Sequence, residues 1–365
     1  MEINNSIEFS EIKTISWEGN KLVLLDQRYL PAEEKYFICE ASAQIIFAIK
    51  EMVVRGAPAI GITAAYGVLL SVINNRKRVP EKFEECVISE LAQMAQSRPT
   101  AVNLMWAIDV MRDLFLRKIT NTDLEEILYI KANEIHKTDI QNNMKMGMLA
   151  CDMFRNTDAV ESRFSVITHC NAGALATGGY GTALGAIRSA WHEELIDMVY
   201  VDETRPWLQG ARLTSWELQK DNIPVCLNVD NASAWLMSNK NIKWAIVGAD
   251  RIAANGDVAN KIGTFNLAII AKYHGVKVMV VAPSNTIDLN TKSGDEIDIE
   301  MRAESEIRTL QSIDISPANV AAINPVFDIT PASLIDVIVT ELGVVTNPDA
   351  EKISALFEGQ YHASA

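Results

Sequence analysis

The chain has 365 residues, 48% of them hydrophobic and 22% charged, which excludes a disordered or fibrous polypeptide and fits two domains better than one small core. A formal net charge of −14 and a pI near 4.9 exclude a general binder of polyanions such as DNA, while a small phosphate held in one local basic pocket stays compatible. The N-terminus Met1-Glu2-Ile3-Asn4-Asn5 lacks the basic and apolar regions of a signal peptide, no stretch reaches about 18 uninterrupted apolar residues, and the cysteines at 39, 86, 151, 170 and 226 show neither a CxxC pair nor zinc spacing. These features predict a reducing, cytoplasmic setting without a membrane span or nucleic-acid partner; a nuclear address would leave no mark here.

In chain order, residues 7–30 hold apolar runs such as Ile15-Ser16-Trp17 and Leu22-Val23-Leu24-Leu25, split by Glu18-Gly19-Asn20, which predicts a small antiparallel sheet turning at Gly19-Asn20. A helix is predicted over 41–54, ended by Arg55-Gly56-Ala57-Pro58 because proline disfavours helical geometry in the residue before it. The next helix, over 59–74, is almost wholly apolar and therefore expected to be buried. Further helices are predicted over 80–96 and 101–116, joined through Ser97-Arg98-Pro99-Thr100. A long helix runs from the cap-like Asn121-Thr122-Asp123 towards Phe154, and its methionines at 144, 146, 148 and 153 read as core filler rather than a metal box.

After Arg155-Asn156-Thr157-Asp158 the texture changes to apolar strands at 164–169, 198–202, 225–229, 244–248 and 276–282, alternating with helical patterns such as 211–220 and 265–274. Alternation of this kind implies right-handed crossovers and a parallel sheet covered on both faces. The predicted fold is therefore α/β. A mainly helical N-terminal domain with a small antiparallel sheet spans 1–122, a long connecting helix spans 123–157, and a Rossmann-like, doubly wound parallel sheet spans 158–365.

Open sheets of this type bind ligands beyond the carboxyl ends of their strands. Cys170 follows the run 164–169 and opens into Asn171-Ala172-Gly173-Ala174, which puts its thiol at that edge; taken alone, an unpaired cysteine is more often a small buried hydrophobe. Gly179-Tyr180-Gly181-Thr182-Ala183-Leu184-Gly185 nearly matches a dinucleotide fingerprint, with Asp202 where a ribose-binding acid would end the next strand. Its third glycine is one place late and residues 170–177 intervene, so a dehydrogenase is the weaker alternative.

Other strand ends carry polar groups in the same way. Asp250 follows the strand at 244–248, and Asn255-Gly256 turns the chain back to Asn260-Lys261-Ile262-Gly263-Thr264. Singly, Asp250 reads as a cap or a partner of Arg251, and Lys261 as a surface charge; convergence with Cys170 on one edge makes them candidates. A carboxyl group among Ala, Gly, Leu and Ile is expected to be desolvated, hence neutral and able to donate a proton. Arg55 with the Gly56 and Ala57 amides at a helix start offers a phosphate or hydroxyl site, as do Arg98 and Lys261.

Five separated motifs, Arg55-Gly56-Ala57-Pro58-Ala59-Ile60-Gly61, His169-Cys170-Asn171-Ala172-Gly173, the run 203–213 from Glu203-Thr204-Arg205-Pro206 through Gln209-Gly210, Gly248-Ala249-Asp250-Arg251 and Asn260-Lys261-Ile262-Gly263-Thr264, together resemble the methylthioribose-1-phosphate isomerase family. That family shares a superfamily with the regulatory alpha, beta and delta subunits of translation initiation factor 2B. The resemblance implies a homodimer that needs neither metal nor other cofactor and acts on a small sugar phosphate. It implies conversion of 5-methylthio-α-D-ribose 1-phosphate into 5-methylthio-D-ribulose 1-phosphate in methionine salvage. It also implies Cys170 and Asp250 as the catalytic pair, and Arg55, Gly56, Ala57, Arg98, Gln209, Asn260 and Lys261 as substrate-binding residues. The alternatives within the same fold are a non-catalytic regulatory subunit and an isomerase of ribose 1,5-bisphosphate or 5-deoxyribose 1-phosphate. Both Cys170 and Asp250 stand in intact motifs, which favours the enzyme.

Overall fold

Strands β1 (Ile15–Glu18) and β2 (Lys21–Leu25) pair antiparallel around Gly19 and Asn20, whose φ values of 55° and 65° suit the primed turn that two-residue hairpins prefer. The computed structural model describes residues 12–98, 101–157 and 162–361; the expected start of this sheet at 7–11, the Pro99-Thr100 part of the helix connection and Asp158 lie outside the described residues. Strand β3 (Tyr36–Cys39) completes the small sheet on the other side of β2. The chain divides into two compact units, Met1–Gln141 with Gly173–Gly181, and Asn142–Ala172 with Thr182–Ala365.

In the first unit, α1 (Ser42–Lys50) is shorter than the pattern over 41–54 predicts, because the chain leaves helical geometry at Met52, with φ 55°. Helix α2 (Ala57–Arg78) is longer than predicted at both ends. Pro58 belongs to its first turn, where a missing N–H leaves no hydrogen bond unmade, and Arg76, Lys77 and Arg78 suit the negative end of the helix dipole. The apolar window of α2 is long enough to cross a membrane by composition, yet 83% of it is buried inside the protein, which is how a core helix uses such residues. Helices α3 (Phe83–Ala95), α4 (Val102–Lys118) and α5 (Leu124–Thr157) follow. The first unit's core joins Leu22, Ile45, Ile60, Leu69, Leu91, Phe115 and Leu128, and Trp17 stacks on Tyr66 with ring centroids 5.4 Å apart.

The second unit alternates strand and helix from β4 (Phe164–His169) and α6 (Ala183–His192) to β5 (Ile196–Glu203), α7 (Ser215–Lys220) and β6 (Val225–Val229). A wider, π-helical turn over Gly210–Thr214 leads into α7. Next come α8 (Ser233–Asn239), β7 (Ile242–Val247), β8 (Arg251–Ala253), β9 (Val258–Lys261), α9 (Thr264–His274) and β10 (Lys277–Val281). The chain continues through β11 (Ile287–Asp288), the short α10 (Ser305–Arg308), the hairpin β12 (Thr309–Leu310) and β13 (Ile313–Asp314), and β14 (Phe327–Thr330). It closes with β15 (Val337–Val339), β16 (Val344–Thr346) and α11 (Ala350–Tyr361).

Seven strands form one sheet in the order β16-β15-β10-β7-β4-β5-β6, parallel except for the β15–β16 pair. Side chains of alternate residues leave its two faces, and both faces are covered. Phe164 and Val166 of β4 join Trp244 and Ile246 of β7, Phe154 of α5 and Leu184 and Ile187 of α6 in one cluster. Ile167, Ala245 and Val247 join Leu267 and Ala271 of α9 and Ile353 of α11 in another. From β4 the chain builds outward through β5 and β6, then crosses back to build β7, β10 and β15 on the other side. The topological switch point therefore lies between β4 and β7, where open α/β sheets bind ligands. A second sheet, in the order β11-β8-β9-β14, is an element that the apolar pattern does not announce.

Candidate active site

Cys170 follows the last residue of β4 and Asp250 stands three residues beyond the end of β7, so the two flank the switch point. Cys170 is buried, 9% exposed, and has φ 62°, a left-handed conformation that residues with a Cβ populate sparsely and that clusters at functional sites. A chain of buried polar groups holds that turn. The Thr214 hydroxyl donates to the Cys170 carbonyl, and the Asn171 amide donates to Thr214 Oγ1 at 3.1 Å and to Glu217 Oε1 at 2.9 Å. Glu217 in turn pairs with Arg188 at 2.9 Å, and Arg188 with Asp221 at 2.6 Å, the first two being almost wholly buried.

The loops after β4 and β7 touch. A Cβ on Gly248 would come 2.8 Å from the Ala172 Cβ, so only glycine lets the chain that leads into Asp250 approach the chain that leaves Cys170. The Asp250 amide donates to the Ala259 carbonyl at 2.9 Å, which ties its loop to β9. The side chain of Asp250 is exposed, which corrects the expectation of an apolar surround: its loop has left the sheet, whose packed faces end at Val247 and Gly248.

Asn260 and Lys261 are buried on β9, opposite Asp328 and Phe327 of β14. Lys261 Nζ lies 5.0 Å from the centroid of the Phe327 ring, a cation–π contact that lets a charged side chain stay beneath the surface. Asn260 donates to Thr264 Oγ1 at 3.0 Å, while the Thr264 hydroxyl donates to the Lys261 carbonyl at 2.7 Å. Asp328 accepts from the amides of Gly263 at 2.7 Å and Phe265 at 3.1 Å, capping α9. Burial pushes the Asp328 carboxyl above its ordinary range, against the opposing pull of those two amides.

Gln209 is 7% exposed, and its Oε1 is buried without a hydrogen-bond partner among the described residues, an exception to the rule that buried polar groups are paired. Its loop is fixed from several sides. Gly210 presses on β5, where a Cβ would meet the Asp202 carbonyl oxygen at 2.2 Å, and the Ala211 amide donates to Glu203 Oε2. Burial raises the Glu203 carboxyl, again opposed by backbone amides. Arg205 Nη2 donates to the carbonyls of Glu306 at 2.7 Å and Thr309 at 2.8 Å, and Trp207 Nε1 donates to Glu306 Oε2 at 3.2 Å.

The first unit carries the other expected residues. Arg55 and Gly56 are half-buried just before α2, and Ala57 is that helix's first residue, so the free amides and positive dipole end of a 22-residue helix lie beside a guanidinium. Gly56 has φ 92°, and a Cβ there would meet the Ala176 carbonyl oxygen at 2.4 Å; both geometry and space demand glycine. Arg98 is half-buried after α3, its carbonyl accepting from the Ala101 amide at 3.0 Å.

The glycine-rich stretch after Cys170 is built into this first unit. His136 Nε2 and the Gly178 carbonyl are 2.8 Å apart, and Asp139 Oδ2 accepts the Gly178 amide at 2.7 Å, so α5 clamps both sides of that residue. A glycine amide already committed to a carboxylate is not poised for a pyrophosphate. Asp202, the would-be ribose acid, is buried and accepts from Asn228 at 2.7 Å and Ser233 at 3.0 Å. Its role is internal, and the dinucleotide alternative loses both its anchors. Neither the Asn171–Glu217–Arg188 chain nor the approach of His169 to Asp202 was foreseen from sequence; the register that places His169 opposite Asp202 is the signal that reveals the second.

Comparison with known proteins identifies the family. Residues 53–347 match the profile of the Initiation factor 2 subunit family. A methylthioribose-1-phosphate isomerase from Azotobacter vinelandii is 52% identical over 346 residues, covering 95% of this chain and 96% of that protein. The crystal structure of 5-methylthioribose 1-phosphate isomerase from Pyrococcus horikoshii OT3 superposes with a TM-score of 0.88 at 37% identity, covering 96% of this chain and 97% of that one. The structure of subunit delta of translation initiation factor eIF-2B from A. fulgidus superposes with a TM-score of 0.84 at 34% identity, covering 94% and 99%. The chain belongs to the Initiation factor 2 subunit family, within its methylthioribose-1-phosphate isomerase group.

Proposed function

We propose that this protein is an aldose–ketose isomerase that converts 5-methylthio-α-D-ribose 1-phosphate into 5-methylthio-D-ribulose 1-phosphate, with Asp250 as proton donor and Cys170 assisting hydrogen transfer between C2 and C1. The observation that carries the reading is an acid and a buried thiol in the loops that follow the two strands flanking the switch point, in a chain 52% identical to named isomerases.

The chemistry follows from the substrate. Phosphate on the anomeric carbon blocks spontaneous ring opening, so the ring oxygen has to be protonated as its bond to C1 breaks. Asp250 supplies that proton. Because its side chain is exposed, the desolvation that favours the neutral acid comes with the bound substrate. The C2 hydrogen then moves to C1, either as a hydride past the thiol or as a proton taken and returned by Cys170. C2 becomes a carbonyl and the O2 proton goes back to Asp250, which closes the balance without any external oxidant or reductant.

Among the binding residues, Arg55 and the Gly56 and Ala57 amides suit the phosphate, with Arg98 as a further cation. Gln209, Asn260 and Lys261 suit sugar hydroxyls, Asn260 being held by Thr264 and Lys261 by the Phe327 ring. A homodimer is part of the reading. Leu227 and Val229 on the edge strand β6 and Trp235 on α8 are exposed apolar residues at 48%, 66% and 60%, a surface that a second copy would cover. The cytoplasmic assignment rests on cysteines that form no disulfide among the described residues, Cys39, Cys86, Cys151, Cys170 and Cys226.

The test is turnover of 5-methylthioribose 1-phosphate, ribose 1,5-bisphosphate and 5-deoxyribose 1-phosphate side by side. The methylthio substrate is expected to give the highest kcat/KM. Preference for the bisphosphate would reassign the substrate, and no turnover of any would favour the regulatory-subunit alternative.

A further inference from the structure

His169 is the last residue of β4, and its side chain is completely buried, so it has no access to substrate. Its ring nevertheless joins three pieces of the second unit. Nε2 lies 2.8 Å from the Ile262 carbonyl, in the peptide that follows Lys261, and Nδ1 lies 3.5 Å from Asp202 Oδ2 on the neighbouring strand. Gly263 packs on the ring itself: with φ 102°, its Cβ position would fall 2.8 Å from His169 Cε1 and 3.0 Å from Nε2. The Thr204 hydroxyl approaches the same Ile262 carbonyl at 3.4 Å, so one carbonyl collects donors from the ends of β4 and β5.

We propose that His169 is a positioning residue of the site, fixing the Lys261–Gly263 peptide to the ends of β4 and β5. Asn260 and Lys261 immediately precede the peptide it grips, and Asp328 holds the next amide from the other side. The loop that carries two of the substrate-binding residues is thus clamped between a histidine and a carboxylate.

The charge of the ring follows from its neighbours. With Nε2–H donating to a carbonyl, Nδ1 faces a carboxylate, and only an imidazolium offers a proton to both. The 3.5 Å separation is an ion-pair distance rather than a short hydrogen bond, so charge carries that contact. Carboxylates act on the ring from every side with a titrating group: Asp202 and Glu203 on β5, Asp230 after β6, and Asp328 on β14. Burial alone would lower the imidazole, but the charge of Asp202 and the bond to the Ile262 carbonyl outweigh it and hold the group above its ordinary value. Asp202 is itself held by Asn228 and Ser233, so the anion stays in place.

Two substitutions separate positioning from bulk. His169→Gln keeps an amide donor close to the position of Nε2, whereas His169→Asn has one only near Nδ1. In the full-length protein, exchange of the amide hydrogens over 262–265 is expected to accelerate about tenfold or more in His169→Asn and far less in His169→Gln, in line with loss of one charge-assisted hydrogen bond. The proposal deepens the isomerase reading and rests on it for the kinetic arm. There KM for 5-methylthioribose 1-phosphate rises about tenfold in His169→Asn, with a smaller fall in kcat, and His169→Gln recovers most of the KM.

Unchanged exchange in a folded His169→Asn, equal damage in the two variants, or a loss confined to kcat would overturn it. If His169→Asn does not fold, nitrogen NMR of the wild-type ring decides. Both ring nitrogens protonated at neutral pH supports the proposal, and a bare Nε2 contradicts it. Failure of the wild type to turn over the substrate would sink the isomerase reading alone, since exchange and NMR still report on His169.

Discussion

Gly248 and Ala172 meet where the loops of Asp250 and Cys170 converge, with room for hydrogen but not for a methyl group: a Cβ on Gly248 would lie 2.8 Å from that of Ala172. Gly248→Ala is therefore expected to push the acid and the thiol apart. A displacement near 1 Å costs about 10²-fold in rate when groups must be aligned, so kcat should fall by about that factor, with about 1–3 kcal/mol lost from overpacking. Steady-state kinetics and urea unfolding check both; a fully active Gly248→Ala would show that the two loops need not touch.

Gln209 holds a buried acceptor with no partner among the described residues. Replacing it with leucine removes an unsatisfied group, so Gln209→Leu is expected to keep or raise Tm while raising KM about tenfold, the usual trade of stability against function. A thermal melt with substrate titration reads both numbers. A fall in Tm with KM unchanged would make Gln209 structural.

The Arg188–Glu217 pair supports the Cys170 turn through Asn171. Arg188→Met strands the Glu217 charge in the interior, and breaking a buried pair in this way costs about 3–5 kcal/mol. Urea denaturation measures the loss, and the folded fraction is expected to show lower kcat, because the left-handed turn at Cys170 has lost its brace.

Alkaline stability depends on buried thiols. Burial pushes Cys39 and Cys151 from 9.0 up to about 12, so the unfolded chain ionises them first. Their contribution is complete below pH 9 and is lost as pH rises through about 12, at up to about 1.4 kcal/mol per pH unit for each thiol. Unfolding measured from pH 8 to 11 should show that decline, and Cys39→Ala should lessen its slope; an unchanged slope would contradict the assignment.

Much of the second unit was legible because its parallel strands stand out as apolar runs: the pattern located β4, β5, β6, β7 and β10, but not the strand order that sets the switch point. The sheet holding Asn260 and Lys261 was not, since β8, β9, β11 and β14 are two to four residues long and carry polar side chains at paired positions such as Asn260 and Asp328. Pro58 was read as a stop because proline restricts the residue before it, yet it sits inside the first turn of α2. The left-handed geometry of Cys170 and the exposure of Asp250 were invisible, because both depend on tertiary contacts that local pattern does not encode. Asp202 shows the same limit: its place at a strand end was legible, but its partners His169, Asn228 and Ser233 come from three other segments.

The central claim is that Cys170 and Asp250 carry the reaction. The most direct measurement is turnover of pure 5-methylthioribose 1-phosphate by Cys170→Ser and Asp250→Asn, each shown to be folded by its circular dichroism and Tm. Both variants are expected to unfold at the wild-type temperature and to lose about 10²–10⁴-fold in kcat, the usual contribution of a positioned acid or base. Near wild-type turnover by either folded variant would contradict the account and remove that residue from the chemistry.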